Sequence, residues 1–168
     1  MKITWFGNRT LRLHMAGQII VWHPAAIEGV APEELESGTD QIIAAGQALP
    51  KADATSWQPR RAPTALEPVD QQVAVLELGP DAALVEGPGE PPLLLLGGAA
   101  PPAGRWSRDA VVLAFTQKAA AAALEALHPK LIVLAVEADD LDAVFDELRA
   151  HLGGTALTAL EPGLALEV

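Results

Sequence analysis

The run from 109 to 154, "DAVVLAFTQKAAAAALEALHPKLIVLAVEADDLDAVFDELRAHLGG", constrains the fold more than any other part of the chain. It alternates strand-like and helix-like patterning. "PKLIVLAV" is a continuous apolar stretch, as expected of a strand buried on both faces. It leads into "DDLDAVFDELRAHL", where Leu141, Val144, Phe145, Leu148 and Leu152 follow the i, i+3, i+4, i+7 spacing of an amphipathic helix. Asp139 or Asp140 is the expected N-cap of that helix and Gly153 its stop. "DAVVLAFT" before the alanine-rich "QKAAAAALEALH" reads as another strand–helix unit. The last third is therefore α/β.

Ahead of it, Ile3, Trp5, Leu11, Leu13 and Ile19 to Val21 fall in short β-rich runs separated by "GNR" and "AGQ", which predicts three hairpin-connected strands. "PEELESGTDQIIAAGQAL" places Pro32 and acidic residues where a helix start favours them, and predicts a helix interrupted by Gly38. Residues 47 to 69 contain four prolines and no sustained period, and read as a surface loop. "QQVAVLEL", "AALVEG" and "PPLLLLGG", separated by "GPD" and "GPGEPP", predict an antiparallel meander. "TALTAL" and "LALEV", joined by "EPG", add two short closing strands. The two strand-rich halves suit the two sheets of a sandwich.

A length of 168 residues suits one domain. Half of the residues are hydrophobic and 20% charged, which is the composition of a folded globular chain. The net charge of −11 would repel a phosphate backbone, so no nucleic-acid partner is expected. The adjacent pair Arg60-Arg61 reads as a solvated turn. The absence of cysteine excludes disulfides, thiolate metal sites and a cysteine nucleophile. Pro and Gly break the longest apolar run, "PPLLLLGGAAPPAG", well short of a membrane span, so no membrane association and a cytoplasmic location are expected.

The opening "MKITWFGNRTLRLHMAGQIIVWHP" and the ordered tail "HPKLIVLAVEA", "DDLDAVFDELRAHLGG" and "LEPGLALEV" resemble the metallo-β-lactamase superfamily. The likeness is to its compact branch of predicted metal-dependent hydrolases, similar to the L-ascorbate-6-phosphate lactonases. Members open with a pattern like "MKITWLGHSAFRI…ILIDP", carry a late segment like "KPKVVIPMHYG" and end like "LEPGETLEL". The resemblance implies a four-layer αββα sandwich with metals held at one edge of two sheets, here shortened by loss of the metal-motif segment. Walking the implied ligand positions through the chain finds Asn8 for the first histidine and His23 for the aspartate of the "LIDP" run. Gly98 stands for the metal-bridging aspartate and Val136 for the late histidine, with Glu137 beside it. Residues 24 to 70 hold no histidine, so the central H-x-H-x-D-H motif is missing.

A hydrolytic zinc needs about three protein ligands and an open position for water. Four histidines in total cannot build a histidine-rich site. A sparse alternative joins His14 and His23, on neighbouring strands, with Glu33 or Glu34, and would hold zinc or manganese in a lactone or phosphoester hydrolase. His128 and His151 come near helix ends, where a histidine suits the helix dipole. Asp139, Asp140, Asp142 and Asp146 fall at the start and solvent face of one helix, where capping explains them. Ser37, Ser56 and Ser107 stand in no G-x-S-x-G turn, and "GPGEPP" and "LGGAAPPAG" lack the residues of a phosphate cradle. Trp5 and Trp22 are placed either to line a pocket at the vacated cleft or to plug it, and plugging relieves the space and unpaired groups that lost ligands leave.

These residues lead to the expectation of a non-catalytic, degenerate member without catalytic or metal-binding residues and without a cofactor. Such a chain would serve as a binding or assembly module, either self-associating through a sheet edge or meeting a protein partner. A competing expectation is the hydrolase built around His14 and His23. A third is an unrelated α/β protein, in which the N-terminal strands face no second sheet.

Overall fold

The computed structural model describes residues 1–23, 25–60, 72–137 and 141–168. It is a mixed α/β protein with two sheets and three helices. In chain order the elements are β1 (Lys2–Trp5), β2 (Leu11–Met15), β3 (Gln18–Trp22), α1 (Pro32–Glu36) and β4 (Gln41–Ile43). Next come β5 (Ala74–Gly79), β6 (Ala82–Glu86), β7 (Leu93–Leu96), a 3-10 turn (Arg105–Asp109) and β8 (Val111–Ala114). The chain ends with α2 (Gln117–Leu127), β9 (Leu131–Leu134), α3 (Leu141–Arg149), β10 (Ala156–Ala159) and β11 (Ala165–Glu167).

The first sheet has five strands in the order β11-β1-β2-β3-β4, and the second has six in the order β10-β9-β8-β7-β6-β5. They pack face to face. Ile3, Leu13 and Ile20 from the first sheet meet Val85, Leu95 and Leu113 from the second in one buried cluster. In β2 buried and half-buried residues alternate, because one face meets the other sheet and one does not. Strands β6, β7 and β8 are buried along their whole length, as apolar runs on both faces require. Their second face meets α2 and α3, where Leu94, Val112 and Ile132 pack under Ala120, Leu124 and Leu148. The alanines of α2 let the helix approach closely, and Thr116 caps its start by accepting the Ala119 amide at 3.1 Å. Each fully buried Leu of β7 contributes about 1.5–3 kcal/mol relative to exposure.

The outer face of the first sheet carries α1, clamped by Arg12. Its guanidinium donates to the carbonyls of Leu35 at 2.6 Å, Ser37 at 2.5 Å and Glu34 at 3.2 Å, the groups a helix end leaves unpaired. Leu35 is buried beneath the helix.

Two expectations need correction. The helix after Pro32 stops at Glu36, with Gly38 at φ +67° beyond it, and "QII" forms β4, parallel to β3. A short edge strand on an existing β3 outcompetes an interrupted helix. The two closing strands form as expected, in different sheets: β10 extends the second sheet beside β9, whereas β11 pairs with β1, so "EPG" crosses between sheets. Arg60 is no solvated turn residue, because its Nε lies 3.2 Å from the carboxylate of buried Glu86. Residue 61, the rest of the 47–69 loop beyond 60, and the caps proposed at 139 and 140 lie outside the described residues.

Candidate functional site

A cleft of about 220 Å³ opens at one end of the sandwich, where the chain leaves β3, β7 and β8 and turns between β5 and β6. Its polar lining includes Arg9, His23, Glu77 and Asp81, and its apolar walls include Trp22, Leu49, Leu95 and Phe115.

The β1–β2 turn brings Arg9 there. Phe6 and Thr10 close the turn through backbone bonds at 3.0 Å, and Trp5 Nε1 donates to the Asn8 carbonyl at 3.0 Å. Asn8 adopts φ +47°, which a short polar side chain tolerates better than most. Arg9 Nη1 then donates to Asp81 Oδ1 at 2.8 Å, while its guanidinium carbon lies 5.8 Å from the Phe115 ring centroid. Asp81 sits at φ +56° in the turn between β5 and β6. Gly97, the first residue after β7, gives the guanidinium its space: a Cβ there would fall 2.3 Å from Arg9 Nη2.

Trp22 ends β3 and His23 follows at φ +47°, with the two rings stacked at 4.2 Å and 14°. The His23 amide donates to the Ile43 carbonyl at 2.7 Å, and its own carbonyl accepts from Thr10 Oγ1 at 2.9 Å. Burial, and then the Arg9 charge, hold the imidazole below the ordinary histidine pKa, so it is neutral at pH 7. Trp22 is 6% exposed, and its Nε1–H has no hydrogen-bond partner among the described residues.

Of the positions implied by the resemblance, His23 lines this cleft, Asn8 precedes its arginine, and Gly98 follows Gly97 with room for a Cβ 3.4 Å from that of Asp81. Val136 instead packs against the helix-side cluster. The alternative pair does not meet: His14 lies opposite Ile19, whereas His23 lies beyond the other end of the β2–β3 ladder. Glu33 and Glu34 sit exposed in the first turn of α1. Trp5 is buried in the sandwich core away from the cleft, whereas Trp22 belongs to the same buried cluster and also forms part of the cleft wall.

The metal that the resemblance implies does not fit these residues. Among the described residues no group of three His, Cys, Asp or Glu has the spacing to hold an ion. The cleft's strongest cation is Arg9, already paired with Asp81. The serines serve turns: Ser56 Oγ donates to Asp53, Ser107 Oγ to the Gly104 carbonyl, and the Ser37 carbonyl receives Arg12. His128 caps α2 at φ +47°.

Sequence reasoning missed Arg9, Asp81 and Phe115. The one available signal was that Arg9 adjoins Asn8, and nothing local links it to a turn so distant in the chain. Among the described residues no helix is long and apolar enough to cross a membrane. No family model, curated protein or solved structure matches the chain.

Proposed function

We propose that this chain is a metallo-β-lactamase-type αββα shell, with its outer helical layer reduced to α1, that has exchanged catalysis for binding or assembly. The observation that carries this reading is the convergence at one cleft. The turn after β1, the end of β3 and the glycines after β7 are placed by the resemblance alone, and they meet around a guanidinium–carboxylate pair instead of metal ligands. A cation fixed in the chain takes up the negative charge of Asp81 and leaves no open coordination position for a water nucleophile.

Self-association is supported by the first sheet's edges. The two large hydrophobic side chains most exposed among the described residues are Ile42, at 42%, on β4, and Leu164, at 57%, immediately before β11. These strands are the two edges of that sheet, where unpaired backbone groups invite a further strand. A soluble protein partner at either edge would satisfy the same groups.

The test is hydrolysis of lactone and phosphoester substrates with zinc or manganese supplied, run beside sedimentation of the same sample. The reading expects no turnover above buffer, and association that weakens when Ile42→Lys and Leu164→Lys are introduced. Metal-dependent turnover abolished by His23→Ala would overturn it.

A further inference from the structure

We infer that the cleft is a metal-independent binding site for a compact monocarboxylate with an apolar body, held by Arg9 and Trp22. This rests on the non-catalytic reading above and names the ligand class of the same site.

The unmet hydrogen-bonding demand at the cleft wall, in Trp22, is for an acceptor. Trp22 is buried with its Nε1–H unpartnered among the described residues, a condition that costs free energy unless a partner arrives. Arg9 commits Nη1 to Asp81, and a guanidinium has five N–H groups. Its side chain is 41% exposed, so a second carboxylate can take a free edge of the fork without displacing Asp81. Neutral His23, stacked on Trp22, can add either a donor or an acceptor.

A cationic ligand fits poorly. The Phe115 face already carries the Arg9 guanidinium, and the cleft's carboxylates, Asp81 and Glu77, have partners in Arg9 at 2.8 Å and Lys51 at 3.9 Å. The existing charges therefore balance, while the donors do not. Phe115, Leu49, Leu95 and the Trp22 ring supply apolar walls for the body of the ligand. About 220 Å³ accommodates a molecule of the size of butyrate or benzoate.

Backbone strain marks the same place. Among the described residues, Asn8, His23 and Asp81 are three of the five non-glycine residues with positive φ, and all three line or adjoin the cleft. Such conformations persist where surrounding structure over-determines them, and they cluster at binding sites.

The experiment is a titration of the full chain, freed of metal with a chelator, followed by the indole N–H resonances in 1H–15N spectra. Trp22→Phe assigns the Trp22 signal, and the probes are benzoate, butyrate and the uncharged isostere benzamide. Saturable movement of the Trp22 signal is expected with both carboxylates. Binding should be at least about tenfold weaker for benzamide, and for benzoate with Arg9→Gln, since each loses a charge-assisted pair. The Trp106 indole, bonded to the Ala54 carbonyl at 2.8 Å, reports that Arg9→Gln is folded. No saturable shift, or equal affinity in Arg9→Gln, overturns the inference. Repeating the titration with zinc separates the two readings: no binding with or without zinc removes the carboxylate site alone, whereas zinc-dependent binding removes the metal-free shell as well.

Discussion

Strand β6 begins beside one arginine–carboxylate pair and ends in another, and the two differ in burial. At its start Arg9 meets Asp81 at 2.8 Å with both side chains half-exposed, at 41% and 54%. At its end Glu86, 5% exposed, meets Arg60 Nε at 3.2 Å, accepts from the Arg60 amide, and sits beside the Arg60 guanidinium's bond to the Gln72 carbonyl at 2.7 Å. The glycines nearby differ in the same way. A Cβ on Gly87 would fall 2.5 Å from Met15 Cγ in the sandwich core, whereas one on Gly97 would meet the half-exposed guanidinium of Arg9. The Glu86 end is a closed staple holding the loop around residue 60 to the second sheet. The Asp81 end is adjustable, with a pair weak enough to be shared with a ligand.

The contrast predicts an ordered set of effects. Arg60→Ala leaves the Glu86 carboxylate buried without its cation and is expected to cost about 2–3 kcal/mol, below the full cost of a buried pair because Arg60 is a third exposed. Chemical denaturation measures this, and a loss as small as that of Arg9→Gln would erase the distinction between the ends. Gly87→Ala forces the buried Met15 side chain aside and should cost about 1–2 kcal/mol by the same measurement. Gly97→Ala and Arg9→Gln should each cost less than about 1 kcal/mol, since what they disturb is a solvent-screened pair. The smallest effect concerns pH. His23 has a folded pKa depressed by burial and by Arg9, so the unfolded chain binds its proton more readily. Its contribution to stability is complete above about pH 6.5 and is lost as pH falls below that value. His14, depressed mainly by burial and then by Arg12 and Lys2, acts in the same direction. A thermal midpoint that falls less on acidification in His23→Asn, which keeps a residue suited to positive φ, would sharpen the assignment.

The layers of this fold were largely legible in the sequence because periodicity reports burial. "PPLLLLGG" and "PKLIVLAV" have no polar face, and their strands β7 and β9 are covered on both sides by the opposing sheet and the helices. The spacing of Val144 and Leu148 placed α3 against the second sheet for the same reason. β4 was not legible: three residues carry too little pattern to compete with the helix signals of "PEELE", and the edge of β3 decides the outcome. The cleft was half legible. Trp22 and His23 drew attention by residue type, but Arg9 and Asp81 are 72 residues apart, and only the closing of two sheets brings a cation of one turn onto an anion of another. The pairing of Arg60 with Glu86 was not legible for the same reason, since an arginine in a proline-rich loop looks solvated until its partner is seen beneath it.

Metal content is the most direct test of whether Arg9 and Asp81 have replaced a metal centre. The protein, purified without an affinity tag and dialysed against trace zinc, manganese and iron, would be analysed by elemental mass spectrometry beside the His14→Ala/His23→Ala double variant. The cleft as described predicts metal far below one equivalent in both samples. Near-stoichiometric metal in the parent chain, lost in the double variant, would contradict it.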